Sequence, residues 1–496
     1  MTNNTSVFGG RKQSVATSIL WLTIAEVVFN FSGYIIHSVL GRMLGPADYG
    51  RYGLIVNLTT TVVMLIGNGI PTAMSKYISG IFESSPDLVL VIKRRAALLQ
   101  VLLMGFVTAV FYFLAPAFSA LLNDKTLTPL FRISAFILPS FAAASFYLYY
   151  YIGIHRFGLQ AAMKIIRSFA RIIFVIGLAY YFGVKGSVVA YIIAPASVFV
   201  TAWIIDKFWI DRLFPQKSNL SFPWRKLLDY AWPVTLFMLF FQILTSLDLY
   251  MVKAILRDDR LTGIYNAALT LGYIPYYLFY ALTLVMLPSV SRTTSSNNHS
   301  ETTRIVSMSL RMMVAIIIPL AVVMIVYAAP IIQFFFGNRY MGAALPFQIL
   351  TFGISFLSIF YVMSFALNGA GKIMVPMYVS LGGMILNGFL NYIFVQSYGI
   401  VGSAAATAAT AILITGIILF YTHKHFDGLI KLAKLAKFVA AGLIMVLFSL
   451  FFPPQKWIFI AWSLILSGIY LGALYFLGEF TRDDLDFFRK AIFRKK

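Results

Sequence analysis

The sequence predicts an all-α polytopic membrane protein with about fourteen transmembrane helices: two six-helix lobes related by a parallel repeat, plus two C-terminal helices. Three observations carry that prediction. Of 496 residues, 60% are hydrophobic and only 11% charged, a balance outside that of ordinary soluble domains. Apolar runs of the roughly 20 residues that cross a hydrocarbon core follow one another along the chain. The chain also matches itself, with Gly153, Gly183, Gly186 and Ser187 falling on Gly369, Gly399, Gly402 and Ser403, an internal repeat of the kind from which transporters are built.

Breaking the apolar runs at Gly, Pro and charge clusters sets the spans in order. The first, 16–40, is too long for the apolar core of a signal peptide and is interrupted by Glu26 and Asn30, so it reads as a retained helix. Spans 2 to 6 follow at 50–75, closing on Ser75-Lys76, at 96–115, closing on Ala115-Pro116, at 129–153, closing on Gly153, at 159–182, before Gly183, and at 185–206. The second block repeats this punctuation. Its spans are 230–253, 263–289 with Ser291-Arg292 just beyond, 306–328 before Ala329-Pro330, 345–368 before Gly369, 373–396 before Gly399, and 400–422. Gly50-x-Tyr52 likewise matches Gly263-x-Tyr265. Spans 13 and 14, at 433–452 and 456–478, lie outside the repeat and read as an appendage. The expected divisions are therefore an N-lobe at 1–212, a C-lobe at 213–425, and a C-terminal pair with a basic cytoplasmic tail at 426–496. Six spans is an even number, so both blocks enter from the same side. That implies two parallel bundles about an axis along the membrane normal, with a substrate site between them and rocking as the natural motion.

The net charge of +22, from 39 Lys+Arg against 17 Asp+Glu, would suggest a nucleic-acid partner in a soluble protein. Here topology absorbs most of it, because basic residues accumulate on the cytoplasmic side. With the N-terminus inside, 29 of the 39 fall on the inner face and the other 10, among them Arg42, Arg51, Lys125, Arg257, Arg260, Arg339 and Lys456, on the outer. A multi-pass protein of the cell membrane with both termini cytoplasmic is expected, and no nucleic acid. Lys431, Lys434 and Lys437, ahead of span 13, suit anchoring on anionic lipid. Cysteine is absent, which excludes disulfides, thiolate metal sites and cysteine nucleophiles. Five histidines leave little for a metal centre, and no cofactor is expected.

The segment GRMLGPADYGRYGL, from Gly41 to Leu54, resembles the helix 1 to 2 connection of polysaccharide transporters, the Wzx-like oligosaccharide flippases of the multidrug/oligosaccharidyl-lipid/polysaccharide exporter superfamily. Further matches are Asp248 in span 7, Gly263-Ile264-Tyr265-Asn266-Ala267-Ala268 opening span 8, Phe336-Gly337-Asn338-Arg339-Tyr340, and Tyr398-Gly399-Ile400-Val401-Gly402-Ser403-Ala404. The similarity covers essentially the first 425 residues. It implies translocation of an undecaprenyl- or dolichyl-type lipid-linked oligosaccharide from inner to outer leaflet, with membrane lipids and the glycosyltransferases or polymerase of the same pathway as partners. The lipid II flippases of that superfamily also have fourteen spans, but their characteristic N-terminal pattern is not found here.

Charges inside hydrocarbon are costly and usually face an interior cavity, so they are the site candidates. Lys164, Arg167 and Arg171 are spaced i, i+3, i+7 on span 5 and form a basic ladder on one face. Arg grips a pyrophosphate in bidentate fashion, and a ladder can pass it inward by degrees; the competing use of Lys164 and Arg167 is snorkelling to the cytoplasmic headgroups. The repeat places Asn387 at the position of Arg171, with Asn391 one turn on, offering either sugar-hydroxyl binding or interhelical glue. Glu26 and Asn30 on span 1 suit coupling to a proton or Na⁺, or pairing with a nearby cation. Asp248 suits an outer gate, or an ion pair with Lys253. Lys76 and Arg292, at equivalent ends of spans 2 and 8, suit a headgroup entrance.

Other chemistries lack residues. Gly369-Ala370-Gly371-Lys372 has neither the earlier Gly nor the Ser/Thr of a phosphate loop. The short loops leave no room for the domain of a membrane glycosyltransferase or ligase, and Asp258-Asp259 is flanked by Arg257 and Arg260, which are expected to neutralise it. A cation-coupled drug exporter of the same superfamily would want acidic residues where this chain has basic ones.

Overall fold

A helix bonds every interior backbone N–H and C=O within its own segment, which is what a bilayer demands of an apolar chain. The computed structural model describes residues 15–63, 69–81, 85–214, 223–295, 298–426, 430, 432–453 and 457–479, and among these there are helices and no strands. Ten stretches are long and apolar enough to cross a membrane. Residues 1–14, Lys431, Lys456 and the basic tail from 480 lie outside the described residues.

The helices are α1 (Val15–Val62), α2 (Gly69–Ile81), α3 (Pro86–Leu121), α4 (Thr128–Ser134), α5 (Ile137–Gly153), α6 (Phe157–Ile205), α7 (Trp224–Leu256), α8 (Asp259–Gly272), α9 (Ile274–Ser295), α10 (His299–Val326), α11 (Ala328–Phe336), α12 (Ala344–Gly369), α13 (Met374–Phe426), α14 (Leu432–Ser449) and α15 (Ile458–Phe476). Three of them carry two spans each: α1 bends at Gly45, α6 at Gly183 and α13 at Gly399. Conversely, α4 with α5 and α8 with α9 are single spans in two pieces. Divided in this way, the ten apolar stretches account for thirteen of the fourteen expected spans, and α8 with α9 occupies the place of the other.

The repeat is written into the backbone. Gly183 has φ 58° and ψ −140°, and Gly399 has φ 58° and ψ −137°. A side chain is strained at those angles, so glycine allows one residue to turn the chain back where the sequence reading expected a short loop. His155 and Gly371, separated by the same interval, are also left-handed, at φ 56° and 77°.

The chain forms two compact units, Met1–Asn266 and Ala267–Lys496. In the first, α1 lies along α6, α2 packs against α3, α5 and α7, and α5 packs on α6. In the second, α12 is central, packed on α9, α10 and α13, while α14 and α15 pair with each other and dock on α10.

Candidate functional site

The packing of α1 along α6 sets an aromatic ring among the cations of the ladder. The Phe29 ring of α1 lies 5.2 Å from Lys164 Nζ, 5.3 Å from the Arg167 guanidinium and 4.3 Å from that of Arg171. A ring face attracts cations, so one phenylalanine steadies three like charges that repel one another. Each cation has a different second partner. Lys164 is ion-paired with Glu26 of α1. Arg167, buried at 7% exposure, stacks on Phe141 of α5 at 4.0 Å, and among the described residues it has no hydrogen-bond or ion-pair partner. Arg171, about 21 Å along α6 from Phe157, donates to the Phe29 carbonyl at 2.9 Å and to Ser32 Oγ at 2.7 Å, while its buried Nε has no partner among the described residues.

This constellation holds three cations against one carboxylate. Glu26 neutralises Lys164, so of the two uses read for it from sequence the structure displays the pairing. The two arginines remain, stacked on rings with donors still unspent, which suits them to gripping a compact anion. Phe29, Phe141 and Ser32 were not singled out in the sequence. The available signal was spacing, since Glu26, Phe29, Asn30 and Gly33 share a helical face at i, i+3, i+4, i+7 and Gly33 faces Arg171 Nη2. Asn30 itself is half-buried.

The other candidates are placed elsewhere. Asn387 and Asn391 belong to the second unit and are fully buried. Asn391 Nδ2 donates to Asn387 Oδ1 at 3.1 Å, Ser403 Oγ donates to Asn391 Oδ1 at 2.6 Å, and Asn387 Nδ2 donates to Thr407 at 3.3 Å. Those bonds stitch the two halves of α13 together, and neither amide is presented to a sugar in this conformation. Lys76 and Arg292 are exposed near the ends of α2 and α9.

Asp248 and Lys253 do not pair, a correction with a simple reason: five residues apart on a helix, they point to different faces. Buried Asp248 accepts from Tyr265 Oη at 3.0 Å. Lys253 is instead the centre of a clamp, ion-paired with Asp259 of α8 and bonded to Asp124, between α3 and α4, at 2.9 Å. Asp259 also accepts from Arg51 Nε at 2.7 Å, so its partners are not the adjacent Arg260 or Arg257, which sequence neighbourhood favoured. Burial pushes the Asp124 carboxyl up, but hydrogen bonds from Thr126 and Lys253 and the Lys253 charge outweigh it and hold the group below its ordinary value. At the same end, α1 and α8 meet backbone to backbone. A Cβ on Gly50 would lie 2.7 Å from Gly263 N, so glycine is required there. Among the described residues no three His, Asp or Glu side chains converge as a metal site would need.

Comparison with known proteins follows these features. A family model described as polysaccharide biosynthesis protein matches residues 15–294, and a MatE model matches residues 233–393. The uncharacterized membrane protein MJ1375 of Methanocaldococcus jannaschii is 23% identical over 427 residues, covering 80% of this chain and 95% of that protein. The probable low-salt glycan biosynthesis flippase Agl15 of Haloferax volcanii is 24% identical over 255 residues, 51% of this chain and 52% of that one. Among solved structures, the lipid II flippase MurJ in an inward closed conformation has a TM-score of 0.74 at 17% identity, covering 96% of this chain and 100% of its own. An inward-facing multidrug resistance MATE family transporter of the MOP superfamily has a TM-score of 0.67 at 14% identity, covering 83% and 98%. At such identities the structures establish a shared fold, which is the MurJ/MATE arrangement.

Proposed function

Because the chain belongs to the polysaccharide biosynthesis protein family, as a transporter of the multidrug/oligosaccharidyl-lipid/polysaccharide exporter superfamily, we propose that it flips a polyprenyl-pyrophosphate-linked oligosaccharide from the inner to the outer leaflet of the cell membrane by alternating access. Members of this family are transporters and flippases rather than enzymes. The observation that carries the proposal is the Phe29 constellation, in which Arg167 and Arg171 stack on rings with donors unused while Glu26, the one carboxylate paired there among the described residues, is bound to Lys164. A drug exporter for cations needs the opposite sign at that depth.

In this reading the pyrophosphate enters past Lys76 and Arg292, is gripped by Arg167 and Arg171, and leaves its prenyl tail in lipid. Lobes 1–212 and 213–425 rock about the site, and 426–496 is the appendage. The excess of basic residues on one face argues for both termini in the cytoplasm, which sets the Lys253 clamp at the outer end. An inside-negative potential then favours outward passage of the anion by about 2.3 kcal/mol per charge per 100 mV.

The test is reconstitution in vesicles with a fluorescent polyprenyl-pyrophosphoryl oligosaccharide, scored by leaflet and by mass. The lipid is expected to cross unchanged. A charge-assisted hydrogen bond is worth about 1.5–3 kcal/mol, so Arg167→Ala and Arg171→Ala should each weaken binding roughly 10- to 150-fold. Wild-type transport in a well-folded Arg171→Ala protein would remove the ladder from the mechanism, and a product of altered mass would point to an enzyme.

A further inference from the structure

The lipid-facing side of the first unit holds a hollow that the proposed transport path does not use. On α3, Gly105, Thr108, Ala109 and Tyr112 fall at i, i+3, i+4 and i+7, on one face of the helix. Beside them stand Phe136, at the joint of α4 with α5, and Pro139, in the first turn of α5. Together these residues line an open groove of about 340 Å³. Small residues keep it clear, since a Cβ on Gly105 would meet no atom within 4 Å. Phe106, Phe113 and Phe136 are 68%, 77% and 51% exposed, so this side of the helices faces hydrocarbon.

The mouth of the groove is cationic. Arg132 of α4 is exposed, with its guanidinium 5.4 Å from the centre of the Tyr112 ring, and Tyr112 meets Phe136 edge-on at 6.3 Å. Among the described residues Arg132 has no hydrogen-bond or ion-pair partner. An arginine on a lipid-facing helix extends toward the headgroups, and the contact with Tyr112 holds this one at the mouth. From Tyr112 the groove runs about 10 Å along α3 to Gly105, toward the middle of the bilayer. Thr108, partway down, has a buried Oγ1 with no partner among the described residues. A cation, then a hydroxyl, then an apolar trough is the order in which a glycerophospholipid presents its phosphate, its esters and its chains.

We propose that this groove binds one anionic glycerophospholipid, with its phosphate on Arg132, its ester region beside Thr108 and an acyl chain along Gly105, Ala109, Phe136 and Pro139. Charge argues for this lipid over the transported carrier. One arginine balances the single charge of a phosphodiester, whereas a dianionic pyrophosphate is matched by the pair of arginines beside Phe29. Exposed Lys125, on the connection leading into α4, adds attraction for a headgroup of net negative charge. With both termini cytoplasmic the site lies in the outer leaflet, and the bound chain fills a gap that side chains leave between α3 and α5.

The experiment places the purified full chain in nanodiscs with phosphatidylglycerol carrying a diazirine in its acyl chain, or with phosphatidylcholine carrying the same chain, and maps the photo-adducts by peptide mass. Peptides spanning 105–112 and 132–139 should take up the phosphatidylglycerol probe about fivefold more than the phosphatidylcholine probe, the preference that one cation near the headgroups supplies. Arg132→Gln should bring the two probes level. Gly105→Leu, which fills the groove, should lower the adducts at 132–139 for either probe. Both positions are exposed, which makes these variants safe for folding. The proposal is overturned if the Arg132→Gln protein keeps the phosphatidylglycerol preference or if Gly105→Leu takes up as much label as the parent. It is also overturned if unlabelled polyprenyl pyrophosphate displaces the probe better than unlabelled phosphatidylglycerol does, which would give the groove to the carrier. Arg167→Ala and Arg171→Ala should leave this labelling unchanged, so the result is read independently of the flippase assignment.

Discussion

Replacing Lys253 by Met tests the clamp that joins three separate connections at one end of the first unit. The Lys253 side chain is 4% exposed, and its partners Asp124 and Asp259 are 12% and 16% exposed. Removing one member of a buried ion pair costs about 3–5 kcal/mol. Residual hydration of the two carboxylates lowers the expectation to about 2–3 kcal/mol, a shift of roughly 30- to 150-fold against the closed arrangement. The chain has no cysteine, so Thr61→Cys gives a unique probe. Thr61 lies about 16 Å along α1 from Gly50 and bonds Asn57, which accepts from Tyr250 of α7 at 3.0 Å. Labelling of intact cells with a membrane-impermeant maleimide should be slow with Lys253 present and on the order of 30-fold faster with Lys253→Met. Adding Asp124→Asn and Asp259→Asn removes the stranded charges and should return the rate toward that of the parent. An unchanged rate in a folded Lys253→Met protein would refute the reasoning.

Three further outcomes follow from the geometry. The Asp124 carboxyl is held below its ordinary value, so its contribution to closure is fully present above the unfolded carboxylate pKa and is lost as external pH falls through the depressed folded one; Thr61→Cys labelling should therefore stay flat from neutral to mildly acidic pH and rise only below that range, and Asp124→Asn should abolish the rise. Gly183→Ala and Gly399→Ala should each cost about 1–3 kcal/mol in thermal or denaturant unfolding, by matching amounts, because both sites share the same angles and neither Cβ would meet an atom within 4 Å. Asn391→Leu strands the Ser403 hydroxyl and an Asn387 acceptor and should destabilise by about 1–3 kcal/mol while glycosylated-carrier binding stays constant; lost binding at unchanged stability would return a sugar role to this amide.

What the sequence discloses here follows what each feature depends on. Spans, kink glycines and the repeat rest on local pattern: apolar length, Gly183 and Gly399 at matching places, and the i, i+3, i+7 spacing of the ladder were all visible. The partners of those residues were not. Arg171 is held by the Phe29 carbonyl, an acceptor every residue possesses, so no residue type advertises it. Lys253 draws its carboxylates from positions 124 and 259, and sequence neighbourhood pointed to Asp248, which helical geometry turns away. Asn387 and Asn391 showed their spacing but not that Ser403 and Thr407 would occupy them, because saturation of a polar group is a property of packing.

The charge balance within the membrane carries the functional argument one step further. Arginine keeps its proton in proteins, and Lys164 is balanced by Glu26, so the fixed excess beside Phe29 is two positive charges. Isolated charges at that depth cost several kcal/mol each, and ring stacking recovers only about 0.5–2 kcal/mol per contact. The constellation is therefore held at a standing cost that a dianion would relieve. A singly charged ligand would leave one arginine unbalanced, and a cation would add to the repulsion. That balance favours the proposed pyrophosphate-sized dianion over a cation as cargo, and in the same proposal release, by re-exposing both charges, gives the emptied site a reason to return to the face where the next headgroup is available.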